Sequence, residues 1–119
     1  MNEFIEVKTA ELTGTALDWA VEAALGGVRV GHRVDFPHGY WCVGEYKPSW
    51  RWDQGGPLIE KYQIDLKWGG IDGKAYWWSA THQDLAQFQI GATPLIAACR
   101  AIVAAHLGET VSVPKELMV

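Results

Sequence analysis

The residues best equipped for chemistry lie between Trp50 and Pro57, in the run Trp-Arg-Trp-Asp-Gln-Gly-Gly-Pro. Indole faces stack on bases and other planar groups, and Arg51 or Lys47 would neutralise a phosphate. Asp53 would accept a hydrogen bond from a ligand, with Gln54 beside it. Gly55 and Gly56 would let backbone N–H groups approach closely. The run lacks the Gly-Lys-Ser/Thr ending and long following helix of a phosphate-binding P-loop, so that motif is excluded. A second reading stays open, in which Trp50 and Trp52 fold back to plug the core.

Three further groups bear on a binding site. Trp77 and Trp78 are adjacent, so in a strand one would be core and the other would need a second layer, a subunit or a ligand to cover it. Arg100 is the strongly basic side chain in an otherwise apolar helix and needs an internal partner or a bound anion. Aimed into a cavity with the Trp50–Pro57 segment, it would anchor a phosphate or carboxylate. The ligand-binding set is therefore Trp50, Arg51, Trp52, Asp53, Gln54, Gly55, Gly56, Trp77, Trp78 and Arg100.

Catalysis finds less support. His38 and Cys42 have a spacing that is not diagnostic of a nucleophile or half a metal site, and their complement would have to come from as far away as His82 or Cys99. His32 reads as a hydrogen-bonded core histidine and Cys99 as a small buried hydrophobe. Asp18 is explained by helix capping and the helix dipole, Asp72 by a hairpin turn, and Asp65 by a solvated strand face. No catalytic residue, metal set or cofactor loop emerges, and a non-enzymatic protein is expected.

The elements that position these residues follow from periodicity. Phe4 to Lys8 reads as a short strand. A helix over about 14–25 is marked by Leu17, Val21, Ala24 and Leu25 on one face, by capping-box spacing at Thr15 and Asp18 with Thr13 a competing cap, and by Gly26-Gly27 as a stop. Strands are expected over 28–36, 40–46, 61–68 and 74–80, the last two joined by a hairpin through Gly69–Gly73. The stretch 47–57, with two Pro and two Gly, reads as an ordered loop. A second helix over about 94–107 starts with Thr93 as cap and Pro94 in the first position. It is largely buried and ends at Gly108, before an edge strand at 110–113. The expected fold is α+β: an antiparallel β-sheet of about four to five strands packed against two α-helices, in one domain spanning 1–119.

Composition narrows the partners. The chain has 119 residues, a net charge of −4 and seven Trp. That charge disfavours double-stranded nucleic acid and anionic membrane, while a single strand stacking on Trp50 and Trp52 stays open. The acidic start Met1–Glu6 lacks the pattern of a signal peptide, and Leu95–Leu107 is too short and too interrupted to span a bilayer. A reduced intracellular protein is expected, with Cys42 and Cys99 unpaired.

Four fragments carry a resemblance: Leu12-Thr13-Gly14-Thr15-Ala16-Leu17-Asp18-Trp19-Ala20-Val21; Gln54-Gly55-Gly56-Pro57-Leu58-Ile59-Glu60; Gly91-Ala92-Thr93-Pro94-Leu95-Ile96-Ala97-Ala98 followed by Arg100; and Gly108-Glu109 with Val113-Pro114. In that order they resemble the NinX-like proteins of tailed bacteriophages and prophages. Pro48, Ser49 and Trp52 also match that family's central loop, whereas Trp50, Arg51 and Asp53 depart from it. The resemblance implies a phage or prophage accessory protein acting in the cytoplasm of the bacterial host, and it supplies no catalytic residues. The function expected is a binding protein that holds a planar, anionic, nucleotide-like molecule in an aromatic pocket. The alternatives are a module that binds a host protein, or itself as a homo-oligomer, through exposed Trp and Tyr, and single-stranded nucleic-acid binding.

Overall fold

A computed structural model describes residues 4–25, 47–71, 75–82 and 88–117. The strands expected over 28–36 and 40–46, with His32, His38 and Cys42, lie outside the described residues, as do Gly26-Gly27 and the hairpin tip at 72–74.

Strand β1 (Phe4–Lys8) leads through a 3-10 turn at Thr9–Glu11 into helix α1 (Gly14–Ala24). Helix α2 (Trp52–Lys61) follows, then strands β2 (Asp65–Ile71), β3 (Ala75–Thr81) and β4 (Gln89–Gly91), helix α3 (Pro94–Leu107) and strand β5 (Thr110–Pro114). The strands form two antiparallel sheets, β1 with β5 and a β2-β3-β4 meander. The fold is α+β, and the described strands are divided between two sheets.

Helix α3 is the centre of the packing. It buries Leu95, Ala97, Ala98, Cys99 and the whole run Ala101–Ala104, so it is apolar around most of its circumference. Such a helix has to be covered on several sides. Helix α1 and the strands β3 and β4 pack on it, with the Thr9–Glu11 turn and α2 at its flanks. The many alanines of both helices allow the close approach. Leu12, Leu17, Val21, Ile102, Val103 and Val113 are fully enclosed, and Val7, Ile64, Leu66 and Ala80 complete the cluster from the strands and the turn before β2.

The helix ends show why the chain turns where it does. Thr93 caps α3, its hydroxyl accepting the Ile96 N–H at 3.1 Å, and Pro94 occupies the first turn, where an N–H has no helical partner. Gly108 ends that helix at φ 97°, a backbone conformation that favours glycine. The Thr9 hydroxyl donates to the Gly108 carbonyl at 2.7 Å, stitching the start of the chain to this turn. At α1 the cap position falls to Thr13, and Thr15 lies inside the helix. The capping role expected for Asp18 is corrected as well: Asp18 is buried on the inner side of α1 and binds a turn 31 residues away.

Two other expectations change. The stretch 47–57 is not wholly a loop, because α2 begins at Trp52 and runs through Gly55, Gly56 and Pro57. Burial of Leu58 and packing of Ile59 on the core outweigh the poor helix propensity of those three residues. The strand expected over 61–68 starts later, since Lys61 closes α2. Gln63 takes a left-handed φ of 53°, the Ile64 N–H bonds the Ile59 carbonyl at 2.9 Å and the Gln63 N–H bonds the Glu60 carbonyl at 3.2 Å. This is a Schellman ending, which redirects the chain into β2. The short strand β4 lies in a stretch whose polarity gave no strand pattern.

Candidate functional site

The turn that precedes α2 is fixed from several directions. The Trp50 and Arg51 N–H groups both bond the Lys47 carbonyl, at 3.1 and 2.8 Å. The Gln54 side-chain oxygen accepts the Lys47 N–H from the first turn of the helix. Pro48 and Ser49 are buried, and the Ser49 N–H donates to the Asp18 carboxylate at 2.8 Å. A buried base of this kind holds the next residues in one place while leaving them in water.

Those next residues are the aromatic pair. Trp50 is 62% exposed and Trp52 56% exposed, so neither plugs the core. The Lys47 ammonium stands 4.9 Å from the centre of the Trp50 ring, a cation–π contact. Between the indoles, Arg51 makes a two-pronged bond to Asp53, Nε to Oδ1 at 3.1 Å and Nη2 to Oδ2 at 2.9 Å. Both partners are exposed, so the pair adds little to stability, but it orients the guanidinium plane. Asp53 also lies in the first turn of α2, where a negative charge is favourable.

Gly55 serves a different purpose from the one its type suggested. Its Cα faces the Pro48 carbonyl and the Leu95 methyl, and a Cβ there would stand 2.8 Å from Leu95 Cδ2. Gly55 is therefore where α2, the turn and α3 come into contact, and its N–H is used within the helix, bonding the Arg51 carbonyl at 2.7 Å. Gly56 has more room, since a methyl group there would meet Trp52 Cε3 at 3.6 Å.

The rest of the expected set lies elsewhere. Trp78 in β3 pairs with Trp68 in β2, their ring centroids 5.4 Å apart and tilted by 52°, and Trp68 is 53% exposed. Trp77 occupies the neighbouring register position, opposite Gly69. Arg100 is half-buried and is held by backbone. Its Nε donates to the Leu12 carbonyl at 2.9 Å and its Nη1 to the Ile90 carbonyl at 2.7 Å, which ties α3 to the entry of α1 and to β4. Desolvation pulls its pKa below the ordinary arginine value. A cleft of about 390 Å³ lies between the two sheets, with Lys8, Phe88, Ile90 and Glu109 on its walls, and includes none of the expected ligand-binding residues.

Asp18 is the residue near the turn that sequence reasoning assigned another role. Burial raises its pKa from 3.8 to about 6, against the lowering effect of its Ser49 hydrogen bonds and of the Lys47 charge. Nearby on α3, the thiol of Cys99 is pushed up strongly by burial and by Asp18, so it stays protonated. Among the described residues no group of three or more His, Cys, Asp and Glu side chains could hold a metal ion. No helix among them is long and apolar enough to cross a membrane.

Fold and surface together define a small α+β protein that presents two tryptophans and an arginine on a turn pinned from inside. Residues 8–106 match the family model described as Bacteriophage P22, NinX, and the chain belongs to that NinX family of phage proteins. Among curated proteins none matches the chain. The resemblance carried by the Leu12–Val21, Gln54–Glu60 and Gly91–Arg100 fragments is thus borne out, and the protein is a phage accessory protein.

Proposed function

We propose that this phage protein is a non-enzymatic binding module that engages a host protein in the bacterial cytoplasm through the Trp50–Arg51–Trp52 turn. The observation that supports the reading is the exposure of two indoles on a turn whose base is buried and hydrogen-bonded. Large apolar side chains left in water cost solvation that a partner would recover, at about 25 cal/mol per Å² of apolar surface covered. Trp and Arg are also the residue types that most often dominate interface energetics, and a rigid turn loses little entropy when it docks. The bidentate Asp53 contact leaves the Arg51 plane available for stacking while neutralising much of its charge, which suits a protein surface better than a phosphate.

Copurification from host extract identifies candidates, and calorimetry with each purified candidate then measures affinity. Trp50→Ala and Trp52→Ala should each weaken binding at least 10-fold, while a substitution outside the turn, such as Lys115→Ala, should leave it unchanged. Equal affinity of wild type and both Trp variants for every candidate would refute the reading.

One observation favours the second reading, a planar anionic ligand of nucleotide type. The Lys47 ammonium beside the Trp50 ring places a cation next to a stackable face. A nucleotide panel that quenches Trp fluorescence, with the effect lost in both Lys47→Ala and Trp50→Ala, would select this reading over the first. Light scattering with wild type and Trp52→Ala tests the homo-oligomer form of the interaction.

A further inference from the structure

The base of the Trp50–Trp52 face is a carboxylate carried by a different helix. Asp18 is 4% exposed and Ser49 2% exposed, and their bond joins α1 to the turn across 31 residues of sequence. The turn residue immediately before Pro48 is Lys47, whose charge acts on Asp18, and the residue immediately after Ser49 is Trp50.

We infer that Asp18 is the positioning residue of this face, its carboxylate holding the Lys47–Trp50 turn from inside and so setting where the two indoles stand. The inference rests on the reading of Trp50–Trp52 as a contact surface. A neutral asparagine would also accept the Ser49 N–H and would cost far less to bury. A carboxylate differs in binding the Ser49 N–H through a charge-assisted bond, about twice as strong as a neutral one. It also makes the tether sensitive to protons. Burial raises the Asp18 pKa to about 6, whereas the Ser49 bonds and Lys47 lower it, so those bonds are stronger to the ionised form. Proton uptake relieves the buried charge and gives up part of the hold on the turn. Among the described residues, the groups that face Asp18 are Lys47 and Ser49 from the turn and the neutral thiol of Cys99 from α3. The Lys47 carbonyl contacts and the Gln54 bond remain when Asp18 is protonated, so the turn shifts without melting.

The test labels the protein with 5-fluorotryptophan and follows fluorine NMR from pH 7.5 to 4.5, with Trp50 and Trp52 assigned through Trp50→Phe and Trp52→Phe. The wild-type Trp50 resonance should move with a midpoint near 6, and Trp52 should follow it. Asp18→Asn, neutral at every pH, should hold both resonances near their low-pH positions and lose the titration. Asp18→Ala should displace the Trp50 resonance at every pH. Should Asp18→Ala not fold, Asp18→Asn still decides, because its prediction is the loss of the titration alone. A titration that survives in Asp18→Asn, or a wild-type Trp50 resonance that does not move over this pH range, would overturn the inference. This readout needs no partner, so it can succeed or fail independently of the binding measurements proposed above.

Discussion

Gly55 of α2 lies against the backbone carbonyl of Pro48, with Leu95 of α3 closing the other side. Three segments distant in sequence meet at a position with no room for a side chain. Gly55→Ala would gain about 1 kcal/mol of helix propensity. The methyl would have to displace the turn or Leu95, at a cost of about 1–3 kcal/mol or more. Because the carbonyl is backbone and the turn is tethered to Asp18, the strain should win. Urea unfolding should show Gly55→Ala less stable by about 1–2 kcal/mol. Gly56→Ala, which meets only ordinary contact, should be neutral or stabilising.

Gln63 invites the opposite substitution. Its left-handed φ of 53° is set by the Schellman bonds that end α2, and a side chain there is strained. Glycine removes that strain but loses more backbone entropy on folding. The left-handed cost is about 1–2 kcal/mol and the entropic offset about half of that. Gln63→Gly should therefore raise stability by about 0.5–1 kcal/mol. A measured loss would mean that the Gln63 side chain makes a compensating contact.

Arg100 acts as a clasp between carbonyls of Leu12 and Ile90. Arg100→Met keeps the bulk of the stem and leaves both acceptors without that donor, which should cost about 2–4 kcal/mol. Arg100→Lys has a single ammonium and cannot reproduce the two-directional fork, so it should recover about half of the loss. Thermal unfolding of the three proteins gives the ranking. If Arg100 were held chiefly as an anion anchor, Arg100→Met would leave stability close to wild type and alter only ligand binding.

What could be read from the sequence was local. Thr93-Pro94 at the start of α3, its apolar run and Gly108 at its end all lie within one helix, and the structure reproduces each of them. Strands β1 and β5 likewise fall where the pattern put them. Helix α2 was hidden because Gly55, Gly56 and Pro57 signal a loop, and what stabilises the helix is burial of Leu58 and Ile59 against distant residues. The Trp50–Pro57 segment stood out by residue type, but the turn that leads into it is anchored by a contact between Asp18 and Ser49 that no spacing announces. Arg100 needed a partner by its chemistry alone, and that partner is two main-chain carbonyls, which carry no signature in sequence.

The exposure of the aromatic turn makes a prediction that separates surface from core. Trp50→Ala and Trp52→Ala remove side chains that are more than half in water, so each should change stability by about 0.5 kcal/mol or less. Trp19→Ala on α1 removes a ring that is 8% exposed and should cost about 3–5 kcal/mol. Large losses for the turn variants would place their rings in the core and remove the basis for a contact surface.

Asp18 gives the fold a pH dependence of a definite sign. Its native pKa of about 6 lies above the ordinary 3.8, so the native state holds the proton more tightly than the unfolded chain does. The stabilisation is then complete below the unfolded value and is lost as pH rises through about 6. A shift of about two units corresponds to about 3 kcal/mol, undiminished by solvent because the group is buried. Other titrating groups also contribute, so the measurement is the difference between wild type and Asp18→Asn. Unfolding free energies at pH 4.5 and pH 7.5 should show the wild type losing more stability than Asp18→Asn on going to the higher pH. At pH 7.5 the variant, which has no charge to desolvate and keeps an acceptor for the Ser49 N–H, should equal or exceed the wild type. A wild type that instead gains stability relative to Asp18→Asn as pH rises would mean that the Ser49 bonds and the Lys47 charge outweigh burial, placing the native pKa of Asp18 below its unfolded value.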